Sequence, residues 1–97
     1  MIKTSRASVN IAIDQFSFSP SYVVAKPGTK IVWKNKNGVA HIIQSTPSGY
    51  IFMSSVIRPG ESFSFTVPNN SDGIYNYACA IYPSMKGKIV IAKKELP

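Results

Sequence analysis

Short stretches of period-two alternation run through most of this chain. Val9, Ile11 and Ile13 alternate with Asn10, Ala12 and Asp14, and Phe16 and Phe18 alternate with Ser17 and Ser19. Alternation of this kind sets one row of side chains on a buried sheet face and the other toward solvent. Pro20 interrupts the run. Tyr22 to Ala25 reads as another short strand, closed by Lys26-Pro27-Gly28, where proline presets φ and glycine admits positive φ. Ile31, Trp33 and Asn35 then share one face, with Lys30, Val32 and Lys34 on the other. Asn37-Gly38 is a tight-turn signal, after which His41 and Ile43 fall on a common face. Thr46-Pro47-Ser48-Gly49 reads as a loop, Tyr50-Ile51-Phe52-Met53 as a strand or a single helical turn, and Arg58-Pro59-Gly60-Glu61 as a turn. Phe63, Phe65 and Val67 alternate with Ser62, Ser64 and Thr66 before the turn-forming stretch Pro68 to Gly73. Tyr75, Tyr77 and Cys79 point one way along the next strand, and Ile89 and Ile91 form the inward row of the last.

About eight short strands separated by Pro/Gly turns, with no helical period anywhere, predict an all-β sandwich or barrel. A chain of 97 residues has room for one domain with a modest core. That domain is expected over residues 8–92, with a loose arm at 1–7 and a charged tail at 93–97.

Composition narrows the function classes. Eleven Lys and Arg against four Asp and Glu give a formal net charge of +7. Such an excess suits an acidic partner, an anionic surface or simple solubility. The basic residues are scattered, apart from Lys34 and Lys36, Lys86 and Lys88, and Lys93 and Lys94, so no block reads as a nucleic-acid tail. A β-barrel that stacks single-stranded nucleic acid on surface aromatics is a competing class. Against it, most aromatics fall on the inward side of the alternation. No apolar run is long enough to span a bilayer. Met1 to Arg6 is polar and basic, unlike a signal peptide, so the chain is either cytosolic or the mature part of an exported protein. A lone histidine and four scattered acids support neither a Ser-His-Asp arrangement nor a carboxylate pair, and there is no glycine-rich phosphate loop. An enzyme is not expected.

The chemistry concentrates in Cys79-Ala80-Ile81-Tyr82-Pro83-Ser84-Met85-Lys86-Gly87, which holds the only cysteine; the only histidine, His41, lies far upstream. A thiolate, an imidazole and a thioether brought together suit copper. The run resembles the ligand loop of the cupredoxins, the amicyanin- and plastocyanin-like proteins among them; the amicyanin pattern is Cys-x-x-His-Pro-x-Met followed by Lys-Gly-Lys. Cys79, Pro83, Met85, Gly87 and Lys88 fall on it. The resemblance extends over nearly the whole chain, through Phe16-x-Phe18-x-Pro20, Lys26-Pro27-Gly28, Val32-Trp33-Lys34-Asn35, Pro59-Gly60-Glu61-Ser62 and Gly73-x-Tyr75-x-Tyr77-x-Cys79. It implies a Greek-key β-sandwich carrying copper. His41 would be the first histidine ligand, Cys79 the thiolate and Met85 the weak axial ligand. It further implies electron transfer and export to a compartment such as the periplasm; a monomer is expected, and the basic excess, with Lys36 and Lys86 near the site, suits docking on an acidic redox partner.

Two departures qualify this. His41 lies between Ala40 and Ile42 where the family usually has proline and asparagine, and Ala80 follows Cys79 where the family usually has Ser or Thr. Both ends of one hydrogen bond beside the site are thus apolar, a change that costs less than losing one end, and Ile42 is expected to pack against Ala80. Tyr82 occupies the second histidine's place. Its phenol oxygen lies across the ring, farther out than an imidazole nitrogen, and a phenol must lose its proton to bind copper(II) well. Three readings remain open. Tyr82 coordinates through a shifted loop. It stands aside, leaving His41, Cys79 and Met85 with an open position. Or the metal function is lost and the chain is a metal-free interaction module. The sequence reading is a copper-binding cupredoxin with an altered site, for electron transfer or copper handling, and the metal-free module is its alternative.

Overall fold

The computed structural model describes residues 8–46, 51–69 and 73–92. The expected arm, most of the 46–49 loop, Tyr50, part of the 68–73 turn and the charged tail lie outside them. Among the described residues eight strands follow in chain order: β1 (Ser8–Asp14), β2 (Ser17–Ser19), β3 (Tyr22–Ala25), β4 (Lys30–Asn35), β5 (Ile43–Ser45), β6 (Ser62–Thr66), β7 (Gly73–Cys79) and β8 (Lys86–Ile91). One sheet has the order β2-β1-β4-β6, the other β3-β8-β7-β5. β1 runs parallel to β4 and β3 parallel to β8; the other neighbours are antiparallel. Only β1/β2 and β7/β8 are neighbours in both sequence and space. The remaining pairings come from crossings between sheets, the connectivity of a Greek-key sandwich. No helix of the described residues is long and apolar enough to cross a membrane.

The alternation read from the sequence becomes the core. Ile11, Ile13, Ile31 and Trp33 face inward from one sheet, and Ile43, Tyr77, Cys79, Ile89 and Ile91 from the other. Trp33 lies at the centre, edge-on to Tyr77 at 5.3 Å and stacked near Phe63 at 5.5 Å between ring centroids. Gly28, with φ 89°, makes the turn before β4 as expected.

Three local readings change. Asn37-Gly38 does not make a hairpin: β4 and β5 belong to different sheets, so the segment between them is a crossing. Phe16 does not share a face with Phe18. Asp14 pairs with Ser17, which leaves Gln15 and Phe16 as a two-residue turn, and Phe16 is 49% exposed while Phe18 is buried. Residues 51–57 are neither strand nor helix. They lie beside β5 through single bridges, Gln44 with Met53 and His41 with Ile57, and return Phe52 and Ile57 to the core.

Both ends of the crossing are fixed by β4's last residue. Asn35 is fully buried, and its amide nitrogen donates to the Val39 and Ile57 carbonyls, each at 2.8 Å. Its amide oxygen accepts the Asn37 N–H at 2.8 Å. A buried amide with these partners satisfied costs little and specifies one path for the loop.

Candidate metal centre

The ends of β1, β4 and β7 meet the starts of β5 and β8 at one end of the sandwich. Cys79 is the last residue of β7, a free thiol with no exposed surface. It pairs with Ile43 of β5, and its N–H donates to the Met85 carbonyl at 3.1 Å. Met85 is 3% exposed, and its own N–H donates to the Tyr82 carbonyl at 2.9 Å. Residues 79–85 are therefore a compact loop whose two ends are bonded together, with Pro83 restricting its middle.

His41 reaches the same place from the crossing. Its backbone exchanges two hydrogen bonds with Ile57, 3.0 and 2.8 Å, which aims the ring inward. The imidazole is fully buried, with Nδ1 3.3 Å from the Cys79 sulfur and Nε2 2.9 Å from the Asn37 side-chain nitrogen. Burial holds its pKa below the ordinary histidine value, so the ring is neutral near pH 7. A neutral imidazole carries one proton. With Asn37 donating to Nε2, that proton sits on Nδ1 and points at the sulfur. Freeing Nδ1 for a metal moves the proton to Nε2 and calls for the Asn37 amide to turn over and accept it.

Tyr82 is half-buried, its ring centroid 5.4 Å from that of His41 and 5.1 Å from that of Phe16. It packs as an aromatic neighbour of the imidazole. The expected packing of Ile42 on Ala80 takes another form: Ala80 is exposed, and its N–H donates to the Ile42 carbonyl at 2.7 Å. A main-chain bond thus joins the two segments where the side-chain pair is missing.

The structure brings His41, Cys79, Met85 and Tyr82 to one locality. Among the described residues no three of His, Cys, Asp and Glu form a cluster. Among the described residues the donor chemistry is one imidazole nitrogen and one cysteine sulfur, with a buried thioether on the same short loop. That set fits copper and does not fit a hard cation. Sequence reasoning missed Asn35, Asn37 and Phe16. Asn37 was visible only as a turn former, and Phe16 was absorbed into an alternating run.

A model of the cupredoxin-like domain matches residues 2–91. The chain belongs to the cupredoxin family. Cupredoxins are typically copper-dependent electron carriers. Over 87 residues the chain is 26% identical to amicyanin-alpha of Methylorubrum extorquens, a match covering 87% of this chain and 71% of that one. Solved structures share the fold, two of them as follows. A purple cupredoxin from Nitrosopumilus maritimus superposes with a TM-score of 0.79 at 24% identity, covering 87% of this chain and 99% of the other. Amicyanin from Paracoccus versutus superposes with a TM-score of 0.76 at 20% identity, covering 87% and 80%.

Proposed function

We propose that this cupredoxin binds one copper ion through His41 Nδ1, Cys79 Sγ and Met85, with Tyr82 standing aside, and that it carries electrons or, through the position left open in the ligand set, copper itself. The observation that carries the reading is the 3.3 Å approach of His41 Nδ1 to the Cys79 sulfur, made by residues 38 apart in the chain. Bound copper would supply a one-electron couple. The protein's share is to hold the donors before the metal arrives and to keep water from the thiolate, which the burial of Cys79 achieves. Tyr82 is a poor ligand here, because its oxygen lies at the far end of a ring already packed against His41. The protein is an electron or metal carrier and not an enzyme in its own right. An exported, periplasmic location and an acidic redox partner go with this reading.

Metal analysis and competition with a copper(I) chelator test it. The parent and Tyr82→Phe should each bind one copper per chain with similar affinity, and Cys79→Ser should lose it. Absence of stoichiometric copper in the parent would favour the metal-free interaction module. A large loss in Tyr82→Phe would make Tyr82 a ligand.

A further inference from the structure

The turn between β1 and β2 is built against local preference. Gln15 and Phe16 have φ of 50° and 55°, both in the left-handed region, inside a two-residue hairpin closed by the Asp14–Ser17 pair. Turns of this shape favour Asn-Gly, because side chains with a Cβ are strained there, and a bulky aromatic at the second position is among the least suited residues. The hairpin itself has no use for the ring: Phe16 is 49% exposed, and β2 is anchored instead by Phe18, 4% exposed. What the strained backbone does is aim the Phe16 ring at the metal-site end of the sandwich. There it stands edge-on to His41 at 6.0 Å and to Tyr82 at 5.1 Å, and His41 and Tyr82 close the triangle at 5.4 Å. His41 has no exposed surface although it lies at the end of the molecule, against a half-exposed phenyl ring.

We infer that Phe16 is a lid residue, held in a strained turn so that its ring and that of Tyr82 close the mouth over the His41–Cys79 pair and restrict small solutes reaching it. Phe16 positions no donor and touches no metal. It sets access. The inference deepens the reading of this site but concerns the metal-free protein, so its test is independent of copper.

His41 and Cys79 are each the only residue of their kind, which makes chemical modification a clean readout. Metal-free parent, Phe16→Gly and Phe16→Leu would be treated with diethyl pyrocarbonate, scored at His41 by peptide mass, and with an aromatic disulfide reagent, scored at Cys79. Stability of all three would be followed by urea unfolding. Phe16→Gly should be at least as stable as the parent, because glycine relieves the turn, yet His41 should react about tenfold faster through easier local opening. Cys79 should follow in the same direction. Phe16→Leu, which keeps most of the cover, should stay near the parent rates. Unchanged reactivity in Phe16→Gly would overturn the lid. So would faster reaction accompanied by a matching fall in stability, since that reports unfolding and not an opened mouth.

Discussion

Tyr77 carries its hydroxyl into the middle of the core. It is 1% exposed, and neither its oxygen nor the Trp33 indole nitrogen finds a hydrogen-bond partner among the described residues. Burial pushes its pKa up to about 12, with the nearby Trp33 indole offsetting part of the rise. An unfolded chain would release this proton near pH ~10. Between those values the unfolded state binds fewer protons than the native state, so stability falls as pH rises, with a slope approaching about 1.4 kcal/mol per pH unit from this group. Below pH ~10 the contribution is fully present. Tyr77→Phe should leave stability near neutral pH unchanged or raise it by about 1 kcal/mol, because an unpartnered buried hydroxyl is deleted. It should also flatten the alkaline loss. Urea midpoints at pH 7 and pH 11 for both proteins check this, and equal alkaline losses would contradict it. At this same scale the sequence is least legible. Asn35 reads only as a strand residue on the face of Ile31 and Trp33, and Asn37 only as a turn former. Only the fold shows that one clamps the crossing while the other faces His41, because both roles are set by partners distant along the chain.

At the scale of elements, the strands were readable because each has one wet face and one dry face. The inward rows of β1, β4, β7 and β8 match the alternation residue for residue at Ile11 and Ile13, Ile31 and Trp33, Tyr77 and Cys79, and Ile89 and Ile91. The 79–85 loop stood out for a different reason: its spacing resembles a known pattern. Turns were read less well, because a turn's local signal does not say which strands it joins. Asn37-Gly38 has hairpin chemistry but lies in a crossing between sheets, and Gln15-Phe16 has strand chemistry but forms a hairpin. β8 shows how closely the elements constrain one another. A Cβ on Gly87 would overlap the Tyr77 ring, so glycine is required there by the cross-strand neighbour and not by backbone conformation.

The whole molecule presents a donor pair at one end and a net charge of +7. For an electron carrier, such charge steers encounter with an acidic partner, and screening weakens it over a Debye length of about 8 Å at physiological salt. Association with an acidic redox protein should therefore weaken steadily as sodium chloride rises. A binding constant indifferent to salt would remove charge from the account of docking. The central claim is that this scaffold retains a copper site altered at one ligand, and the absorption spectrum of copper(II)-loaded Tyr82→His tests it most directly. The variant regains two imidazoles and a thiolate for the trigonal plane, with Met85 as the weak axial group. It should take up one equivalent and show an intense thiolate-to-copper charge-transfer band, blue or shifted by the missing side-chain bond at Ile42 and Ala80, where the parent is colourless or differently coloured. A folded Tyr82→His protein with no such band would contradict the claim.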